Sequence, residues 1–337
     1  MFNNMKKIAL VTGGAGFIGS HVIDLLLKNK FKVKAIDNLS TGRINNLKNC
    51  FKNKNFSFKK FDITNLNLNN MYFKDVKYIF HFAGIADLVP SINDPEKYIN
   101  VNFNGTLKVL QLAKKLKVKK FVYAASASCY GKTPNRPIKE TDKISLEHPY
   151  ALSKYLGEKA CLHWARVYDL PVISLRIFNA YGPRSRTTGA YGAVMGVFFK
   201  QKLKKKPLTI VGDGKQSRDF IYVSDVAKAF VKAATSSKKM EIYNLGTGKS
   251  STINYLAKLI GGKKTKIPNR PGEAKTSIAN INKIKKELNW RPLIKFSTGI
   301  YKLIERINDW KDAPLWTPNK IKKATKDWFK FLKNEKK

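Results

Sequence analysis

Apolar residues fall along the chain in two alternating patterns. Short unbroken runs end in glycine or an acid, and longer stretches between them are apolar every third or fourth residue. KIALVT (7–12) is an unbroken run and reads as a buried strand. GGAGFIGSHVIDLLLKNK then gives a tight turn and an amphipathic helix. FKVKAID (31–37) is a second strand ending in an acid, NFSFKKFDIT (55–64) a third and VKYIFHFAG (76–84) a fourth. A long helical stretch occupies the interval between Pro90 and Lys120. KKFVYAASAS (119–128) is a fifth strand, a helix through HPYALSKYLGEKA (148–160) comes next, and LPVISLRIFN (170–179) is a sixth.

Strands alternating with helices predict an α/β fold, a Rossmann-type doubly wound parallel sheet with helices on both faces. Past about residue 180 the regularity weakens. RSRTTGAYG reads as a loop, GVFFKQKLKK as a short helix, and LTIVGDGKQSRDFIYVSDVAKAF as alternating loop, strand and helix. Residues 1–180 are expected to form the sheet domain. Residues 181–337 are expected to form a smaller C-terminal lobe, with some segments returning to the main sheet. The tail, NKIKKATKDWFKFLKNEKK, has the pattern of a basic amphipathic helix whose Trp328, Phe329 and Leu332 pack on that lobe.

Composition narrows the classes. With 337 residues and 43% hydrophobic content, the chain can bury a large core. No apolar run approaches the roughly 20 residues of a membrane span, so no membrane role is expected. The first residues run into the glycine turn with no small-residue cleavage site, which leads to the expectation of a cytoplasmic protein. Cys50, Cys129 and Cys161 lie far apart, and the four histidines form no ligand pattern, so neither disulfides nor a metal site is expected. The net charge of +42 fits either nucleic-acid binding or a lysine-rich composition. Only 10 of the 65 basic residues are Arg, and lysines are spread over loops and helix faces without a recognition motif. The second reading is favoured, and no nucleic-acid partner is expected. The charge still attracts anions.

Three features carry chemistry. Gly13, Gly16 and Gly19 stand between the first strand and first helix, where glycine lets backbone approach a pyrophosphate and the helix terminus offers N–H donors. Asp37 closes the second strand, placed to accept both hydroxyls of an adenosine ribose and to repel a 2′-phosphate, although Arg43 is nearby. Asp62, after the third strand, reads equally as an adenine contact or as a helix N-cap. Tyr150 and Lys154 are four residues apart on one helix face. An ammonium beside a phenol favours the phenolate and makes it a usable base. Ser126, at the carboxyl end of the fifth strand, can face the same cleft.

These residues occur in one order, and with TGGAGFIG, AID (35–37), FDIT, HFAG, SASCYG, PYALSK, RIFNAYGP, GDGKQSRDFIYVSDVA, YNLGTG and NRPGEA the chain resembles the extended short-chain dehydrogenase/reductase family over nearly its whole length. The resemblance is to the nucleotide-sugar epimerase branch, which includes UDP-glucose and UDP-N-acetylglucosamine 4-epimerases. It implies NAD as cofactor, held by Gly13, Gly16, Phe17, Ile18, Gly19, Asp37, Asn38, Asp62, Ile63, Ala83, Gly84 and Lys154. It implies Ser126, Tyr150 and Lys154 as the catalytic set, with reversible oxidation at C4 of the sugar. Residues 1–180 would then be the NAD-binding domain and 181–337 the nucleotide-sugar lobe. A homodimer pairing helices near 95–117 and 149–168 is also implied.

For the substrate, the resemblance implies contacts from Ser126, Tyr150, Asn179, Val194, Thr209, Val211, Arg218, Arg270, Glu273 and Ser277. The arginines would hold a diphosphate, Glu273 a ribose, and Thr209 and Val211 the base. The family's 4,6-dehydratases carry an Asp–Glu pair where this chain has Ala127 and Ser128, which points to epimerisation. Ala193 and Val194 replace an Asn–Leu pair of many UDP-galactose epimerases, which leaves the nucleotide open. Ser277 stands where some relatives have a bulky Tyr, leaving room for an N-acetyl group at C2. A hexuronate 4-epimerase, with Arg184, Arg186, Thr187 or Thr188 meeting the carboxylate, remains a neighbouring reading. A dehydratase or reductase, and a non-catalytic NAD-dependent regulator, are further alternatives.

Overall fold

The structure, a computed structural model, describes residues 7–132, 134–185, 194–271 and 274–332. Its strands in chain order begin with β1 (Ile8–Thr12), β2 (Lys32–Asp37), β3 (Phe56–Lys60), β4 (Tyr78–His81), β5 (Lys120–Ser126) and β6 (Val172–Ile177). Short strands β7 (Asn179–Tyr181), β8 (Leu208–Val211), β9 (Ser217–Arg218) and β10 (Phe220–Tyr222) come next, and then β11 (Glu241–Leu245). Seven of these form one sheet in the order β11-β6-β5-β4-β1-β2-β3, with every neighbouring pair parallel. The order reverses between β1 and β4. A crevice outside the strand ends at such a switch point is where ligands bind in doubly wound sheets.

The helices are α1 (Phe17–Lys28), α2 (Leu88–Asn93), α3 (Pro95–Ile99), α4 (Gly105–Lys115), α5 (Pro149–Tyr168), α6 (Val194–Leu203) and α7 (Val223–Thr235). Successive residues of β1 point to opposite faces of the sheet. Ala9 and Val11 pack with Val22, Ile23 and Leu26 of α1 and with Val226, Ala229 and Phe230 of α7. Ile8 and Leu10 pack with Val109, Leu110 and Ala113 of α4 and with Ala160, Cys161 and Ala165 of α5. Each fully buried Leu, Ile or Phe in these layers contributes about 1.5–3 kcal/mol. Cys50, Cys129 and Cys161 are free and buried in the cores. No helix of the described residues is long and apolar enough to cross a membrane.

A third core gathers Phe198 and Phe199 of α6, Ile210 of β8 and residues of the later helices. Of those, α8 (Ile253–Ile260), α10 (Phe296–Ile304) and α11 (Pro318–Ala324) contribute to this core, whereas α9 (Asn282–Leu288) packs Ile284 and Leu288 into the core of α1 and α7, and α12 (Lys326–Phe331) is the last helix in order. The tail expected as one helix is therefore two, divided at Thr325. The helical stretch expected between Pro90 and Lys120 is also divided. Asp94 caps α3 through Lys97 N–H, and a π-helical turn over Asn100–Asn104 separates α3 from α4. The third and sixth strands stop short of their expected ends. FDIT turns into a 3₁₀ segment capped by Asp62, and the chain breaks at Phe178 so that β7 pairs with β10 instead of extending β6.

Helix α5 carries the Tyr–Lys pair. It starts at Pro149, with the His148 ring accepting the Ala151 N–H at 3.1 Å, and it ends at Asp169 in the left-handed region. A Cβ on Gly157 would lie 2.3 Å from the Tyr123 hydroxyl, so glycine lets α5 settle onto β5. Glu158 and Arg176 form a buried ion pair at 2.6 Å between α5 and β6. Glu158 also accepts from Ser174, and Arg176 donates onward to Tyr130 and to the Glu140 carbonyl. Replacing Glu158 with Ala leaves a guanidinium buried and unpaired. A loss of about 3–5 kcal/mol is expected, read as a lowered denaturant midpoint.

Candidate active site

A cleft of about 870 Å³ opens at the carboxyl ends of the strands, over the switch point. At one end stands the glycine turn. Gly13 has φ +67°, and a Cβ there would come within 2.6 Å of the Ala83 nitrogen. A Cβ on Gly19 would fall 2.3 Å from the Gly13 carbonyl oxygen, so the turn and α1 pack at backbone contact. Gly16 caps α1 without a side-chain bond, leaving backbone donors facing the cleft. This cradle, which side chains would fill, suits a diphosphate.

Asp37 is nearly buried in the cleft wall. Its carboxylate accepts the N–H of Ala15 at 3.0 Å and of Leu39 at 2.8 Å. Burial raises its pKa, and the backbone donors at Leu39, Ala15 and Gly16 oppose the rise. Asp62 realises both of its readings at once. It caps the 3₁₀ turn through Thr64 and lines the cleft, and the Asn38 amide donates to it at 2.8 Å. Burial pushes this carboxyl up, but the bonds from Asn38 and Thr64 outweigh it and its pKa lies below the usual value. Arg43 donates to the Ser185 carbonyl at 3.0 Å, tying the loop after β2 to the segment after β7. Phe17, Ile18, Ile63, Ala83 and Gly84 line the same end.

Ser126, Tyr150, Ala127 and Ser128 line the middle. The Ser126 and Ser128 hydroxyls are 2.8 Å apart, and Ser126 Oγ also accepts the Ser128 N–H. Tyr150 stacks on His148 with its ring nearly parallel, 2° between planes, and meets Tyr98 edge-on. Lys154 does not line the cleft. It is buried one turn below Tyr150, with Nζ 4.4 Å from the centre of the Tyr123 ring. The β4 loop passes above it at Gly84, where a Cβ would come within 2.7 Å of the Asn102 amide oxygen. The expectation that Lys154 lowers the Tyr150 pKa is corrected. Burial raises the Tyr150 pKa, and the force opposing the rise is a hydrogen bond with Ser126. Burial likewise lowers Lys154, to about 8, with Cys161 and Glu158 pulling the other way.

Pattern reading missed Asn102. It sits in the π-helical turn, fully buried, accepting the Ile85 N–H at 2.8 Å and donating to the Ile85 carbonyl at 3.0 Å. Its amide also donates to Ser153 Oγ at 2.9 Å, and Ser153 donates to the Tyr150 carbonyl. One side chain thus joins the β4 loop to the first turn of α5. The only signal was an Asn on the buried side of an otherwise apolar helical pattern. His81 is equally hidden, held between the Thr12 and Thr106 hydroxyls, with burial driving its pKa down to about 3.

At the far end the cleft is lined by Asn179, Val194, Arg218, Arg270 and Ser277. Two further short strands are β12 (Ser251–Thr252) and β13 (Lys264–Ile267), before β14 (Thr276–Ser277). β14 pairs with β9, which sets Ser277 beside Arg218. Thr209 and Val211 are a correction, because neither lines the cleft. The Thr209 hydroxyl and N–H are both bonded to Gln201 inside the third core, and Val211 packs against that core. Gln216, Phe220 and Ile253 line the wall in that region instead. Arg184 is paired with Asp24 at 2.8 Å and does not line the cleft. Glu273, Ala193, Arg186, Thr187 and Thr188 lie outside the described residues. Among the described residues no cluster of His, Cys, Asp or Glu could hold a metal ion. The cleft also takes in Trp328 and Leu332 from the tail, which the sequence pattern placed on the lobe.

The lowered Lys154 pKa has a thermodynamic signature. An unfolded Lys titrates near about 10.4, and folded Lys154 near 8. Between these values the unfolded chain binds more protons, so this group adds stability as pH rises through that window. Urea midpoints of the cofactor-free parent and of Lys154→Met, compared across pH 8 to about 10.4, should show the parent gaining on the variant.

A family model described as the NAD dependent epimerase/dehydratase family matches residues 9–246. The chain is 37% identical over 302 residues to a putative UDP-glucose 4-epimerase of Methanocaldococcus jannaschii, covering 88% of this chain and 96% of that protein. Its fold is similar to a UDP-N-acetylglucosamine 4-epimerase from Methanobrevibacter ruminantium M1 solved with UDP-N-acetylmuramic acid, with TM-score 0.84 and 34% identity over 91% of this chain and 98% of that one. It is also similar to a UDP-glucuronic acid 4-epimerase from Bacillus cereus solved with UDP-glucuronic acid and NAD, with TM-score 0.83 and 31% identity over 89% and 99%.

Proposed function

The chain belongs to the NAD-dependent epimerase/dehydratase family, and we propose that within it the protein inverts C4 of a neutral UDP-hexose or UDP-N-acetylhexosamine. The observation that supports this reading is that Ser126 and Tyr150 line the same cleft as the glycine turn, Arg218 and Arg270. NAD, when bound, supplies reversible two-electron oxidation at the sugar carbon. The glycine turn and the α1 terminus suit its diphosphate, and Asp37 suits its ribose hydroxyls. Tyr150 accepts the proton of the C4 hydroxyl and returns it when the carbonyl is reduced. Ser126 donates a hydrogen bond to the same oxygen. Arg218 and Arg270 hold the substrate diphosphate, a task that matches the guanidinium fork.

Epimerisation is favoured over elimination by the local chemistry beside Ser126. Ala127 and Ser128 offer no carboxylate there, and the Ser128 hydroxyl is engaged with Ser126. A hydroxyl in that role steadies the catalytic serine and is a poor proton donor for loss of water. The neutral sugar is favoured over a hexuronate because Arg184, the one described candidate for the C5 carboxylate, is paired elsewhere.

The test is a panel of UDP-, GDP-, CDP- and dTDP-sugars with chromatography of each C4 epimer. A UDP-hexose or UDP-N-acetylhexosamine should reach equilibrium with its epimer. Tyr150→Phe should lower kcat by about 10²–10⁴-fold, the scale of a positioned acid–base group. Full activity in that variant would remove Tyr150 from the mechanism. Ser277→Tyr should lower the preference for UDP-N-acetylglucosamine over UDP-glucose by about tenfold, measured as the ratio of kcat/KM values. An unchanged ratio would show that Ser277 leaves the C2 substituent alone.

A further inference from the structure

The C-terminal segment is built into the cleft. Ile321 of α11 is buried in the third core, and Thr325 is buried at the break before α12. Trp328 is only 6% exposed, and its indole N–H donates to the Pro271 carbonyl at 2.7 Å. Pro271 directly succeeds Arg270 on the substrate side. On its other side α12 packs against α2, whose first residues Leu88 and Val89 line the cleft. Just before them, the negative charge of Asp87 acts on Tyr150. Helix α12 therefore reaches from the arginine loop to α2, in the neighbourhood of the catalytic tyrosine, and Trp328 with Leu332 just beyond its end lines the cleft.

We propose that this strap is part of the substrate site, resting on the epimerase reading: Trp328 and Leu332, with Leu88 and Val89, form the apolar wall against which the sugar packs. An indole beside aliphatic side chains offers a large rigid surface to the C–H face of a hexose. A carboxylate turned against the same wall would lose its hydration without a partner. The wall thus selects neutral sugars. It also holds the 4-keto sugar while it turns over between proton removal and return. A ketone that escaped would end the cycle with the bound cofactor reduced, so a closed wall would protect turnover.

Three variants test this in the full-length holoenzyme. Trp328→Ala removes the wall, Trp328→Phe keeps a flat ring, and Phe331→Ala changes a residue on the same helix that is 57% exposed and does not line the cleft. The 4-keto sugar escaping into a filtrate is captured with a hydrazide reagent, and KM and kcat are measured for UDP-glucose and UDP-glucuronate. Trp328→Ala is expected to raise ketone escape per turnover and the KM for UDP-glucose by about tenfold each, the effect of truncating a buried aromatic anchor. Its discrimination against UDP-glucuronate should fall. Trp328→Phe should recover most of the difference, and Phe331→Ala should match the parent. The proposal is overturned if Trp328→Ala matches the parent in escape and KM, or if all three variants lose activity together with melting temperature. A parent that equilibrates no nucleotide sugar overturns the epimerase reading itself, an outcome distinct from an active parent with an indifferent Trp328.

Discussion

The buried pair between Glu158 and Arg176 is the constraint on which the site depends. Tyr150, Lys154 and Glu158 succeed one another at four-residue steps, so all three share one face of α5. The last of them is locked to β6 by three charge-assisted bonds from one guanidinium. The same guanidinium reaches the Tyr130 hydroxyl, which donates to Asn244 of β11. One cation thus fixes the rotation of the catalytic helix, the loop after Ser126 and the edge strand of the sheet together. A buried ion pair of this kind adds little net stability over a well-packed apolar substitute. What it adds is a single geometry, because a guanidinium fork fits its carboxylate in one plane. Asn102 fixes the first turns of α5 through Ser153.

Burial on that face explains why the Tyr–Lys pair behaves differently from its sequence reading. Spacing alone shows that two groups share a face, and it predicts attraction between them. It does not show how much water is removed from each. In the structure both groups shift towards their neutral forms, the phenol upward and the ammonium downward, and desolvation leads in both cases. The Ser126 hydrogen bond is then the main local force favouring the phenolate. Under the proposed mechanism the serine therefore helps poise the tyrosine as well as binding the sugar oxygen.

The parallel sheet was legible because each buried strand reads as an unbroken apolar run, and the glycine turn because no other residue tolerates its backbone contacts. KIALVT and LPVISLRIFN needed only local pattern. The return of β11 to the sheet edge rests on pairing with β6 across more than sixty residues of intervening chain, which no local window contains. Asn102 was invisible for a related reason. Its role comes from three hydrogen bonds to Ile85 and Ser153 on two other segments, and in sequence it is one Asn among several in NVNFNG. Thr209 and Val211 failed because β8 is enclosed by the third core on both of its faces, an arrangement set by distant segments that no local window contains. The tail gave a correct amphipathic pattern, but the pattern cannot say which surface its apolar side covers.

The carboxylate at Asp37 shows how one residue can bind the turn and the ligand together. Its two oxygens are anchored by Ala15 in the glycine turn and by Leu39 in the loop after β2, and a Cβ on Gly42 would meet them at under 3 Å. The group cannot swing aside without releasing the turn that forms the diphosphate cradle. The N–H groups of Ala15, Leu39 and Gly16 take three of the carboxylate's lone-pair positions, which leaves one open for a ribose hydroxyl. A 2′-phosphate would face a fixed, partly desolvated negative charge, with repulsion stronger than at a solvated acid. Arg43, the nearby cation that could offset it, is held by the Ser185 carbonyl. Discrimination against the 2′-phosphorylated cofactor at Asp37 would therefore arise from the same bonds that shape the turn.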